Sequence, residues 1–186
     1  MLCKEGKLDE ALSIFKDRPD AAGAASLIAA IGYKQRHDIE AAFSVYNRLK
    51  ESSSGGTTPS LATFRALLLA CCKTTGNTSH ALPLWHEMQQ QSVHPDGITF
   101  GLFCLACSEA AEQGDVELAV KVAETIFAQA RDHKGTGPSL TAIDCAQLIK
   151  TFTHGPESFR LALDLEEWME WQCIPLNTHA WVSLVR

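Results

Sequence analysis

Apolar residues recur along this chain in short blocks at helical spacing, and five blocks share one layout. They are KLDEALSIF (Lys7 to Phe15), DIEAAFSVY (Asp38 to Tyr46), NTSHALPLW (Asn77 to Trp85), DVELAVKVA (Asp115 to Ala123) and SFRLALDLE (Ser158 to Glu166). Each places an alanine between larger apolar residues: Ala11, Ala42, Ala81, Ala119 and Ala162, at steps of 31 to 43 residues. A period of that size is the mark of a helical repeat array. Each block predicts an amphipathic helix with one buried face.

A second series of marks runs between the blocks. Pro59, Pro95, Pro138 and Pro175 fall 36 to 43 residues apart. Proline lacks an N–H and disfavours helical dihedrals in the residue before it, so each ends the incoming helix. Polar residues follow, and Ser60, Asp96 and Ser139 are expected N-caps of the next helix. Each unit then reads as two antiparallel helices, the first after the Pro, as in TFRALLLACCK (Thr63 to Lys73). Polar turns such as TTGNTS (Thr74 to Ser79) and EQGD (Glu112 to Asp115) join the two. A single helix cannot bury its apolar face alone, but stacked neighbours can. The expected fold is all-α, an α-solenoid of stacked antiparallel helical hairpins forming a right-handed superhelix. Its approximate repeats are 20–58, 59–94, 95–137 and 138–175, with partial repeats 1–19 and 176–186.

Composition agrees with helix packing. Of 186 residues 46% are hydrophobic but only 8% aromatic, and Ala and Leu carry much of the apolar content. The net charge of -6 argues against a protein that binds nucleic acid by phosphate contacts over its whole surface. The seven cysteines lie mostly inside apolar helical stretches, which predicts buried free thiols in a reducing compartment. No run approaches the ~20 apolar residues of a membrane span. The first residues read neither as a transit peptide nor as a signal sequence. The loops ESSSGGTTPS (Glu51 to Ser60) and RDHKGTGPS (Arg131 to Ser139) read as plain polar linkers.

Three stretches carry a family resemblance. LCKEGKLDEALSIF (Leu2 to Phe15) resembles the middle of the pentatricopeptide repeat, where a Cys-Lys-x-Gly turn precedes Asp-Glu-Ala-Leu. LWHEMQQQSVHPDGITF (Leu84 to Phe100) resembles the join between two such repeats, and LEEWMEWQCIPLNTHAWVSLV (Leu165 to Val185) repeats that join more loosely. Residues 2–4 match the end of a first helix whose beginning is absent, so a piece of a longer protein is expected.

The resemblance implies a non-catalytic RNA-binding protein of organellar RNA metabolism, or a subunit of an organellar ribonucleoprotein such as a ribosome-associated protein. A mitochondrion or plastid is the implied location. One base would be read per repeat. The family's reading residue stands six past each Pro, at Ala25, Arg65, Gly101, Asp144 and Trp181. Its partner stands just after the next Pro, at Ser60, Asp96, Ser139 and Leu176. Ala25 and Gly101 offer no side-chain hydrogen bond, Arg65 and Asp96 carry opposite charges, and no complete pair matches the family's amides and hydroxyls. A branched apolar residue that sandwiches bases is implied three past the Pro. Ile98 fits there; Ala62, Thr141 and Thr178 fit less well. Lys73 stands where the family meets phosphate, and Glu109 stands there one repeat later. The alternative is a helical-repeat adaptor that scaffolds protein partners without reading RNA. Implied partners are single-stranded RNA, protein subunits, or both, with no membrane and no small-molecule substrate.

No enzyme site emerges. Cys104 and Cys107 have the spacing of a metal pair but lie one turn apart inside an apolar stretch. The His-x-Glu of a cytidine deaminase is absent. His80, His86 and His94 do not share a helix face in ligand register. No cofactor or metal is expected. Trp168 and Trp171 read as a packing ridge against a following repeat. The far-UV circular dichroism spectrum of the chain should be strongly helical; a strand content of about 20% would contradict the helical-repeat reading.

Overall fold

The computed structural model describes residues 8–17, 19–35, 38–52, 58–73, 80–132, 139–155 and 157–185. The Cys-Lys-Glu-Gly turn of residues 3–6 and the TTGNTS turn lie outside the described residues, as do the centres of both polar linkers. Among the described residues every regular element is helical. They are α1 (Leu8–Asp17), α2 (Ala21–Ala29), a π-helical continuation of α2 (Ala30–Gln35), α3 (Ile39–Glu51), α4 (Leu61–Lys73), α5 (Leu82–Gln90), α6 (Gly97–Glu112), α7 (Val116–Asp132), α8 (Ala142–Thr153), α9 (Phe159–Trp171) and α10 (Thr178–Val185). The chain forms two compact units. The first holds residues 1–77 and 86–94; the second holds 78–85 and 95–186.

Both units follow one packing rule. A first-row helix lies against the next first-row helix, and α2, α6 and α8 also pack on the second-row helices that follow them. In the first unit α2 packs on α4 and on α3, and α1 on α2. In the second unit α6 packs on α8, α8 on α10, α6 on α7 and α8 on α9. Side-chain donors at the helix starts tie neighbouring first-row helices. Thr63 Oγ1 donates to the Ala21 carbonyl at 3.3 Å, and Asn177 Nδ2 donates to the Ala142 carbonyl at 3.2 Å.

The first unit buries Leu27, Ile28 and Ile31 of α2 and its continuation, and Phe64, Leu67 and Leu68 of α4, the helix packed beside them. Each such side chain contributes roughly 1.5–3 kcal/mol when removed from water. Tyr46 of α3 meets Phe64 edge-on with ring centroids 5.8 Å apart. Lys50 lies over the Tyr46 ring and pairs with Glu87 of α5. Burial, with Glu87 close by, holds the Tyr46 hydroxyl well above its ordinary range. In the second unit Trp85, from the first turn of α5, meets Phe100 and Phe103 edge-on at 5.7 and 4.9 Å.

Helix starts and stops follow local chemistry. The Gly23, Ala41 and Thr99 amides donate to Asp20, Asp38 and Asp96 at 2.7, 2.9 and 2.9 Å, capping α2, α3 and α6. The Ala180 amide donates to Asn177 Oδ1 at the start of α10. Three ends close alike, with a residue of positive φ (Ser92, Gly114 or Cys173) followed by an amide that reaches back to the last turn. Val93 N–H donates to Met88, Asp115 to Ala110 and Ile174 to Met169. Two of these ends run straight into Pro95 and Pro175, which stop any continuation.

One expected cap is corrected. Ser139 does not start α8; Thr141 does, in a reciprocal capping box with Asp144. Asp144 Oδ2 accepts from Thr141 N–H at 2.8 Å and from its hydroxyl at 2.7 Å. The box satisfies two orphan donors where Ser139 could satisfy one, so the helix begins two residues later than the proline spacing implies. The π-helical continuation of α2 was not legible in the periodicity. It carries Gly32, which lies directly on Ala70 of α4.

Gly32→Ala should therefore destabilise the first unit. The added methyl would fall well inside van der Waals distance of Ala70 Cβ, which cannot rotate away. Overpacking costs ~1–3 kcal/mol and outweighs the ~1 kcal/mol gained in helix propensity. Urea unfolding should show a lower midpoint for the variant; a higher one would disprove the close approach.

Candidate nucleic-acid interface

Every first-row helix starts from a capping residue, and that residue gives a better ruler than the proline. The caps are Asp20, Ser60, Asp96, Thr141 and Asn177. Five residues past them stand Ala25, Arg65, Gly101, Ala146 and Val182. The expected reading residues Ala25, Arg65 and Gly101 keep their register, each half-buried in the first turns of its helix. Asp144 and Trp181 fall out of it, being three and four past their caps. Likewise the expected partners Ser60 and Asp96 are caps, whereas Ser139 and Leu176 precede the caps Thr141 and Asn177.

Asp144 has a different job from the one expected. Its carboxylate is buried and spent on the Thr141 box, and its other oxygen faces Gly101 of α6. A Cβ on Gly101 would stand 2.8 Å from Asp144 Oδ1. Gly101 is thus small because a neighbouring cap lies against it. Asp96 is also engaged, accepting from the amide and hydroxyl of Thr99 at 2.9 and 2.7 Å.

The same ruler finds a residue that proline counting missed. Two past the caps stand Ala22, Ala62, Ile98, Ile143 and His179. Ile98 and Ile143, on the adjacent helices α6 and α8, are 60% and 67% exposed. Thr141 therefore cedes the apolar position to Ile143. The signal was present in the sequence as Thr141-x-x-Asp144, a capping-box pattern. Trp181 is 55% exposed near the start of α10; Leu176 is half-buried just before it.

Thirteen past the caps stand Lys73, Glu109 and His154. Lys73 ends α4 and is exposed. Glu109 is pushed above its ordinary range by burial and by Glu112, and Lys150 partly offsets this. Lys150 pairs with Glu112 at 2.8 Å. The second unit therefore presents two carboxylates and one lysine at the place where the first presents a lysine.

The cysteines are held as apolar fillers. Cys71, Cys104, Cys107 and Cys145 are buried free thiols, Cys72 is half-buried and Cys173 exposed. Burial pushes the Cys71 and Cys145 thiols up to about 12 and Cys104 well above its usual range. A thiol so disfavoured as thiolate is a poor nucleophile and a poor metal ligand. His80, His86 and His94 are exposed. The two tryptophans expected to form a ridge differ in their surroundings. Trp168 meets Phe127 of the preceding second-row helix at 5.8 Å, and Trp171 is 84% exposed.

Residues 1–17 match the family model described as the PPR repeat. No curated protein sequence matches the chain. Among solved structures the chain is similar to the pentatricopeptide repeat protein PPR10 in complex with an 18-nt psaJ RNA element, at 19% identity and a TM-score of 0.58. A triple Cys-to-Ser variant of PPR10 with the same RNA element gives the same figures. The match covers 98% of this chain and 25% of PPR10. It shows the helical-repeat fold. No helix among the described residues is long and apolar enough to cross a membrane.

Glu109→Gln should stabilise the chain at neutral pH. A carboxyl raised in the folded state costs stability above its folded pKa, and the cost fades as pH falls and the group protonates. The variant's advantage in thermal melts should shrink from pH 7 towards acid. An advantage that is constant or grows in acid would show that Glu109 is not strained by its charge.

Proposed function

We propose that the chain is a member of the PPR repeat family, a non-catalytic RNA-binding protein whose first-row helix starts receive single-stranded RNA; the match of residues 1–17 to the PPR repeat supports this reading. The observation that carries this reading is the pair Ile98 and Ile143, two branched apolar side chains exposed at one register on adjacent helices. Packed helices lie roughly 8–10 Å apart. That gap admits a flat base between two aliphatic side chains, each at contact distance of ~3.5–4 Å. PPR10, whose fold this chain shares, is a protein solved with bound RNA. The finer reading is a role in organellar RNA metabolism, or as a subunit of an organellar ribonucleoprotein, in a mitochondrion or plastid.

Base reading by the second unit is poor on this view. Gly101, Ala146 and Val182 have no side-chain donor or acceptor. Ala25 has none either, and Arg65 alone brings a donor to that register. The proposed contact holds bases by stacking and leaves sequence choice to other residues. Ser60, Asp96, Thr141 and Asn177 act through their helix starts. The repeats proposed are those given by the sequence pattern, with the fourth shifted to begin at Thr141.

The net charge of -6 favours a second reading, a repeat adaptor that scaffolds protein subunits. Titration of single-stranded RNA at two salt concentrations separates the two. Wild type should bind with a salt slope, and Lys73→Ala should lower that slope by ~0.7. Ile98→Ser with Ile143→Ser should weaken binding about tenfold or more, as lost base stacking does. Wild type without salt-dependent binding, recovered instead with a stable protein partner, would replace RNA binding by the adaptor reading.

A further inference from the structure

The outer surface of the second unit carries a feature that RNA binding at the helix starts does not use. Trp171 is the last residue of α9 and is 84% exposed. The corresponding thirteenth residue of α7 is Ala128, which is also exposed. The equivalent position on the two second-row helices α7 and α9 thus faces solvent in this structure.

Its surroundings have a definite chemistry. A cleft of about 390 Å³ is lined by Arg131, Asp164, Glu167, Trp168, Trp171 and Gln172. Trp168 forms a fixed wall, braced edge-on by Phe127. The ion pairs Lys50–Glu87, Lys121–Glu117 and Lys150–Glu112 involve neither Asp164 nor Glu167. Arg131 lines the rim with its guanidinium 5.5 Å over the Phe127 ring, so the aromatic cluster already takes one cation. The two carboxylates outweigh that single charge. The wider helix repeats the bias, with Asp164, Glu166, Glu167 and Glu170 against Arg160. The last turns of α7 and α9 meet here, and helix C-termini also favour positive charge.

We propose that this cleft docks a lysine or arginine side chain from a basic segment of a protein partner. The cation lies on the faces of Trp171 and Trp168 and within reach of Asp164 and Glu167. Nucleic acid is disfavoured in the same place, because its phosphates would meet carboxylates. The site lies on the opposite row from Ile98 and Ile143 and is independent of the RNA reading.

The test titrates the whole chain with a short oligo-arginine peptide, followed by tryptophan fluorescence and by calorimetry. Wild type should bind saturably. Trp171→Ala, which leaves the net charge unchanged and removes an exposed ring, should weaken binding about tenfold. Asp164→Asn with Glu167→Gln should weaken it similarly, and Ile98→Ser should leave it intact. Circular dichroism should confirm that the variants are folded. Equal binding by wild type and Trp171→Ala would reduce the effect to net charge and overturn the site. Absence of saturable binding, or single-stranded RNA bound in a Trp171-dependent way, would overturn it as well.

Discussion

Each unit of this chain depends on the lateral contact between successive first-row helices. A hairpin has an apolar face too wide for its own partner to cover. In the first unit Leu27, Ile28 and Ile31, and Phe64, Leu67 and Leu68 of α4, are all buried where those helices pack. In the second, Phe100, Phe103 and Cys104 of α6 and Cys145, Leu148 and Ile149 of α8 are all buried where those helices pack. This contact explains the small residues as well as the large ones. Gly32 sits on Ala70, and Gly101 on the Asp144 carboxylate, because a side chain at either place would push two helices apart.

That contact also places the surface that would meet RNA. Side-by-side helices that begin from caps present equivalent residues in a line. Ile98 and Ile143 share one rung of it, and Gly101 and Ala146 another. The chemistry of the rungs differs. One is apolar and exposed; the other has no hydrogen-bonding side chain. Such a surface can hold flat rings and has little means to tell them apart.

The second row has a separate surface chemistry. Its inner side is committed to packing, through Tyr46, Phe127, Leu165 and Met169. Its outer side is free to vary, and in α9 it has become aromatic and acidic. A protein with RNA along one row and a basic partner segment on the other could join the two without competition between them. The acidic excess lies mainly on the second row, where α1, α5, α7 and α9 each hold more acidic than basic residues.

The repeating alanines and the proline punctuation determined the fold class from sequence alone. Helical periodicity is a local property, and a proline stops a helix whatever surrounds it. The caps Ser60 and Asp96 and the buried cysteines were legible for the same reason. The register of the fourth repeat was not. Pro138 stands three residues before the true cap, and only the competition between Ser139 and the Thr141–Asp144 box decides where α8 begins. The shift moved Asp144 from the binding line into a buried cap and brought Ile143 onto the line. The exposure of Trp171 and the approach of Gly32 to Ala70 were likewise beyond the sequence. They depend on which neighbouring helix faces each residue, a contact between segments distant in the chain that tertiary packing alone creates.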